Sequence, residues 1–356
     1  MRTSFFSATL AFSAGVSALP QNIPETPLPP ALPLQQFETQ KFSTPLTPAD
    51  ILARVFQKSD TEEPSFRTLS AADDVSIAAT CANPRVRVEW DSYSDSDKQA
   101  YVNAIRCLQT RPASGQFSQS RSRYEDLVAL HQNLTPNVHG SAKFLLWHRY
   151  FLWMFEDIIR SECSFDRALP WFDETRYAGR FSQSSIFSSQ WFGAINRGGN
   201  CVEDGQFANL AINVGPGSSN SLHCLARNGD DSKTQYTNSG IVDGCNNEGD
   251  YANMASCAEG GAHAWGHNGI GAVMQDTFAS PADPIFFLHH AFIDRNFRIW
   301  QNKDQAYRVN NINGRDVAGN PLTLDTTVNV YDIRPTVQIR DILDTTSEKL
   351  CYKYSY

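Results

Sequence analysis

The chain has 356 residues, 41% of them hydrophobic, which is enough to bury an ordinary core without cross-links to compensate for small size. A formal charge of -8 and a charged fraction of 19% describe a mildly acidic surface with no basic stripe. This argues against nucleic acid as a partner and leaves small molecules as the expected one.

Residues 1–18 read as a secretory signal peptide: Arg2 supplies the positive end, Phe5 to Val16 the apolar run, and Val16-Ser17-Ala18 a small-residue cleavage site. That run is shorter than the roughly 20 apolar residues a membrane-spanning helix needs. No later stretch is apolar enough to span, so the expectation is a secreted protein with no membrane partner. Eight cysteines, an even number in an exported chain, imply disulfides whose connectivity spacing alone does not set. No CxxC pair occurs, which removes the usual zinc-ribbon and thioredoxin readings. Residues 19–80 are expected to be a partly disordered linker or propeptide, dense in proline at Pro27, Pro29, Pro30 and Pro33. The main domain is expected over residues 81–356.

Within that domain, Ser94 is a capping residue ahead of Ala100, Val102, Ile105 and Leu108, a pattern that predicts an amphipathic helix. A second helix is predicted over Arg121–His131. The strongest signal lies in Lys143–Glu162, where Phe144, Leu145, Trp147, Phe151, Leu152, Phe155 and Ile159 recur at three- and four-residue intervals. From Gly193 to about Asp250 the chain is rich in Gly, Asn and Ser, which predicts long loops with short strands. Helices are predicted to resume at His263 and over Pro284–Trp300, with Pro284 in the first turn. A strand over Thr326–Tyr331 is expected to close the domain.

Seven of the eight histidines fall in two clusters: His131, His139 and His148, then His263, His267, His289 and His290. His263 and His267 are four apart, so on a helix both project from one face and can ligate one ion. The intervening Ala264-Trp265-Gly266 lacks the glutamate of a zinc protease. A third ligand is expected from the apolar run that ends in His289-His290. One histidine alone is usually an ordinary hydrogen-bonded residue. Several on buried-looking helices need a cation to satisfy their ring nitrogens, and all-imidazole coordination suits copper, zinc, iron or nickel.

Two long segments carry a resemblance. The first is His139-Gly140-Ser141-Ala142-Lys143-Phe144-Leu145-Leu146-Trp147-His148-Arg149-Tyr150-Phe151, and the second is Asp283-Pro284-Ile285-Phe286-Phe287-Leu288-His289-His290-Ala291-Phe292-Ile293-Asp294-Arg295. On these the chain resembles the tyrosinase and catechol oxidase family of binuclear copper proteins, in particular the short secreted fungal polyphenol oxidases. Weaker similarity extends the match over about Cys81 to Asp304. The resemblance implies a mainly α fold: a four-helix bundle housing a dinuclear metal site, with long loops and a few short strands. It also implies two copper ions, the first held by His131, His139 and His148 and the second by His263, His267 and His290. Zinc, acting as a Lewis acid on a secondary metabolite, is the alternative. His289 is expected to be no ligand, because neighbouring helical residues point about 100° apart. The implied reaction is oxidation of a phenolic substrate by dioxygen.

Glu259 matches the family's catalytic carboxylate, and Ala264 and Asn268, each following a ligand of the second site, are expected to face substrate. Three departures from the family pattern stand out. Ala264 replaces an Asn found in efficient monophenol hydroxylases, which favours diphenol oxidation. Asn137 replaces the cysteine that many relatives join covalently to the residue here numbered His139. Trp171-Phe172-Asp173-Glu174 stands where the family has an aromatic-Trp-Asp-Trp segment. Asp294 and Arg295 are expected either to orient helices around the site or to form an ordinary ion pair.

Overall fold

Ser94 opens the first long helix by accepting the Asp97 N–H, and α1 then runs Asp95–Thr110 as its cap and periodicity predict. This computed structural model describes residues 80–356; the expected signal peptide and nearly all of the proline-rich segment lie outside the described residues. The second helix, α2, spans Arg123–Val138 and is capped by Ser122. It continues past the expected end at His131 because Leu134, Thr135 and Val138 prolong its buried face, and Pro136 stands within its last turn. The apolar segment forms α3, Phe144–Cys163, buried over most of its circumference and ended by Ser164 in the left-handed conformation.

The next helical run begins earlier than predicted. Helix α4, Tyr251–Ala258, leads into a wide turn over Glu259–His263, and α5 follows as Ala264–Ile270. Two adjacent glycines allow this, with Gly261 leaving helical geometry at φ -91°, ψ -121°. The tandem histidines lie on α6, Ile285–Asn302, which Pro284 precedes. Helices α2, α3, α5 and α6 form the four-helix core, and the architecture is mainly α, as the resemblance implied.

Between α3 and α4 the chain is mostly loop with the short pair β2, Ala211–Ile212, and β3, His223–Cys224, although short helices at Asp231–Thr234 and Ser239–Asn246 also occur there. The strand expected at Thr326–Tyr331 shrinks to β4, Thr327–Val328, paired with β5, Val337–Gln338. The closing strand is instead β6, Tyr352–Tyr354, which lies parallel to β1, Arg85–Arg87. A disulfide between Cys81 and Cys351 ties the same two ends together, and Cys107–Cys163, Cys201–Cys224 and Cys245–Cys257 complete the pairing.

Asp294 and Arg295 do not form an ordinary surface pair. Asp294 accepts from Arg149 Nε at 2.6 Å and from the hydroxyls of Tyr352 and Tyr354 at 2.5 and 2.6 Å, with Arg87 Nη1 3.6 Å away. Arg87 is in turn held by Glu156 at 2.7 Å. All six side chains are buried, so this network locks α3, α6, β1 and β6 together. Arg295 lies over the Trp171 ring at 4.2 Å.

Candidate metal centre

Each element of the core delivers its histidines to one place. His131 projects from the middle of α2, His139 caps its C-terminus, and His148 lies one turn into α3. Together they form one group in which a ring nitrogen of each lies within 4.8 Å of the others. His263, His267, His289 and His290 form a second group by the same measure.

The outer ring nitrogens define which lone pairs face inward. Nδ1 of His131 donates to Phe278 O at 2.8 Å, that of His148 to Phe144 O at 2.8 Å, that of His263 to Glu259 O at 3.0 Å and that of His267 to Met274 O at 2.6 Å. His139 Nδ1 donates to the Glu259 carboxylate at 3.1 Å. A neutral ring that donates from Nδ1 carries a lone pair on Nε2. His131 Nε2 lies 3.4 Å from Nε2 of both His139 and His148, and His267 Nε2 lies 3.3 Å from that of His290. Lone pairs facing each other at such distances repel, so these are not hydrogen bonds. They match the edges of a tetrahedron around an ion bound at about 2.0–2.1 Å, which are about 3.3–3.4 Å long. His263 Nε2 is buried without a partner, a further donor that a cation would satisfy.

Burial, reinforced by neighbouring imidazoles, pushes His131 down to about 3 and holds His148, His263, His267 and His290 well below the usual 6.5. These rings are neutral at physiological pH, the form that ligates metal. Burial alone takes His289 down to about 3.

The two groups abut. The His148 ring stacks on that of His290 with centroids 4.5 Å apart, and His139 and His263 are 5.9 Å apart. Phe144 touches both groups, 4.7 Å from His148 and 4.6 Å from His263, while Phe286 stacks on His290 at 4.0 Å and meets His131 at 5.3 Å. These aromatic walls keep the site apolar. The 100° between neighbouring helix positions does not carry His289 out of the second group, because its ring stands 4.5 Å from that of His267 and 5.4 Å from that of His263.

Glu259 opens the wide turn that directly follows α4. Its Oε1 accepts from both His139 Nδ1 and Gly140 N, at 3.1 and 2.8 Å. Asn137 is exposed, and this carboxylate fixes the His139 ring noncovalently. His139, Glu259 and Ala264 are partly exposed while the other histidines of both groups are buried, so solvent reaches the site from this side. Asn268 is buried, accepting from Gln275 at 2.9 Å with its Nδ2 unpartnered. Sequence reasoning missed Phe144 and Phe286 as the walls of the site, and it missed Glu174, whose Oε1 lies 2.5 Å from His289 Nδ1. A carboxylate inside the apolar Trp171-Phe172 segment was the available signal for the last.

Residues 121–303, which include every one of these histidines, match the model for the common central domain of tyrosinase. Tyrosinase P of Aspergillus terreus is 30% identical over 334 residues, covering 78% of this chain and 94% of that protein. N-acetyl-6-hydroxytryptophan oxidase ivoB of Emericella nidulans is 28% identical over 360 residues, covering 82% and 98%. Among solved structures, a point mutant of a polyphenol oxidase from Thermothelomyces thermophila superposes with a TM-score of 0.70 at 26% identity, covering 77% of this chain and 89% of that one. Two abutting imidazole groups on a four-helix core, inside a matched central domain, make this chain a member of the tyrosinase family.

Proposed function

We propose that this protein holds two copper ions, one on His131, His139 and His148 and one on His263, His267 and His290, and uses dioxygen to oxidise o-diphenols to o-quinones, with hydroxylation of some monophenols. The observation that carries this reading is the contact between the two groups: stacking of His148 on His290 at 4.5 Å brings two sites within reach of one small molecule. Copper bound there supplies the redox change. Two diphenols give up two electrons and two protons each, and one dioxygen leaves as two waters. The chain's own residues orient and exclude: carbonyl acceptors set each ring, Phe144 and Phe286 keep the pocket dry, and Glu259 provides the carboxylate nearest the open edge to take a phenolic proton. Ala264 at that edge offers room for a ring but no amide to help position a proton acceptor, which favours diphenols. Asn268, with a buried amide nitrogen unpartnered, is proposed as a contact deeper in the same wall. A relative named for oxidising a hydroxylated tryptophan supports phenolic secondary metabolites as the substrate class. Four disulfides support export by residues 1–18, and among the described residues no helix is long and apolar enough to cross a membrane.

The test is metal analysis of the purified protein with oxygen uptake on a monophenol, a diphenol and an aminophenol. Two coppers per chain and rapid uptake with the diphenol are expected. Two zinc ions, with no oxygen uptake after copper loading, would replace this reading with Lewis-acid chemistry.

Glu259 separates orientation from proton transfer. Glu259→Ala frees His139 and is expected to weaken copper at the first site by about 10–100-fold, the usual cost of losing an outer partner. Glu259→Gln keeps an oxygen acceptor and is expected to weaken copper less while slowing phenol oxidation. Copper titration of the two variants checks this, and equal affinity for Glu259→Ala and wild type would remove the orienting role.

A further inference from the structure

One short loop serves both histidine groups. Residues 271–279 follow α5, and within them Met274 O accepts from His267 Nδ1 at 2.6 Å while Phe278 O accepts from His131 Nδ1 at 2.8 Å. A histidine of each group is therefore aimed by a carbonyl from the same stretch of main chain. Thr135 Oγ1 also lies 3.3 Å from His131 Nδ1, but it sends its own proton to His131 O at 2.7 Å and leaves Phe278 O the nearer acceptor.

Asp276 stands between those two carbonyls in the chain and is buried. Its Oδ1 accepts from Phe278 N at 2.9 Å and Ala279 N at 3.3 Å, and its Oδ2 accepts from Gly217 N at 2.7 Å. The Gly217 carbonyl is held in turn by Gln132 Nε2 at 2.8 Å, and Gln132 directly follows His131 on α2. The contacts close a circuit from His131 through Phe278, Asp276, Gly217 and Gln132. Gly215 lets the two loops meet: its φ is +93°, and a Cβ there would fall 2.7 Å from that of Ala279 and 3.4 Å from Asp276 Oδ2.

The peptide between Phe278 and Ala279 is the link that carries charge. Its N–H faces the Asp276 carboxylate while its C=O takes the proton of His131 Nδ1. Hydrogen bonds in series polarise one another, so a negative charge on the N–H side makes the carbonyl a stronger acceptor. A stronger acceptor on Nδ1 raises the basicity of Nε2, as an outer carboxylate does by direct contact. The two contacts of the carboxylate within the loop both lie on the Phe278 side, so His267 is affected only through the hold on the loop.

We propose that Asp276 is a positioning residue for the metal centres: it fixes the loop that aims His131 and His267, and its charge strengthens His131 as a donor to the first ion. This rests on the metal-centre reading above.

The experiment titrates the full chain with Cu(II) against a competing chelator and follows the His131 ring N–H by NMR of the histidine-labelled, Zn(II)-loaded protein. A His263→Ala background isolates the first centre and a His148→Ala background the second. Asp276→Asn keeps one oxygen for Phe278 and Ala279 but removes the charge. It is expected to weaken the first centre by about 10-fold, to weaken the second less, and to move the His131 N–H signal upfield. Asp276→Ala, which also frees the loop, is expected to weaken both centres. Wild-type affinity at the first centre in Asp276→Asn, or an unmoved His131 signal, would overturn the proposal even if the variant melts at a lower temperature. The near-isosteric Asn variant decides the matter if Asp276→Ala does not fold. Wild type that binds neither metal would instead overturn the metal-centre reading, and the His131 N–H signal of the metal-free chain would still report on Asp276.

Discussion

His131→Ala is expected to lose one of the two metal ions and, with it, diphenol oxidation, by a factor well beyond the roughly 10–100-fold cost of removing an outer partner. The Nε2 of His131 lies 3.4 Å from those of both His139 and His148, so its removal leaves the first group only two imidazoles. The ring also fills space between Phe151 and Phe286, at 6.1 and 5.3 Å, so the truncated chain loses packing as well as ligation. Metal content per chain and oxygen uptake read the result together. A variant with two ions and wild-type turnover would show that the first group is not a metal centre.

Asp294→Asn is expected to cost about 3–5 kcal/mol of folding stability, the range for breaking a buried ion pair by removing one partner. The substitution takes the carboxylate from Arg149 and a charged acceptor from Tyr352 and Tyr354, all of them buried. Burial by itself would raise the Asp294 pKa, but Arg149, Arg87 and the two tyrosine hydroxyls overcome it and hold the carboxyl below its ordinary 3.8. The unfolded chain therefore takes up the proton first as pH falls. The contribution is complete above about pH 4 and is lost as pH drops through the lower folded value. Urea titrations of wild type and variant should differ most at neutral pH and converge in strong acid. A gap that is small at neutral pH, or that stays constant into acid, would show that the network is not held by the charge on Asp294.

Local signals were legible where one residue type has one local use. Ser94 and Ser122 cap their helices because a side-chain oxygen satisfies an end N–H, and the apolar spacing in Phe144–Cys163 leaves no alternative to a buried helix. The two histidine clusters were visible because imidazoles on buried faces need a partner. The wide turn at Gly260-Gly261 was not, since flexible glycines permit it without requiring it, and Gly261 lies beside Ile241 and Cys245 only in the folded chain. The closing strand was misplaced for a similar reason: Tyr352–Tyr354 pairs with residues some 267 positions earlier, and its register depends on Arg87 and Asp294 rather than on its own propensity.

The sequence by itself determined the helices that carry the ligands and the presence of two imidazole clusters, because periodicity and capping are local and histidine is rare in an apolar helix without a reason; the mainly α class was what its resemblance to the family implied. Only the tertiary structure decided that the two clusters touch through His148 and His290, that Glu259 orients His139, and that Glu174 meets His289. Those relations join residues far apart along the chain. They follow from how the helices cross and which side chains a glycine such as Gly266 leaves room for, and spacing along the chain does not encode them.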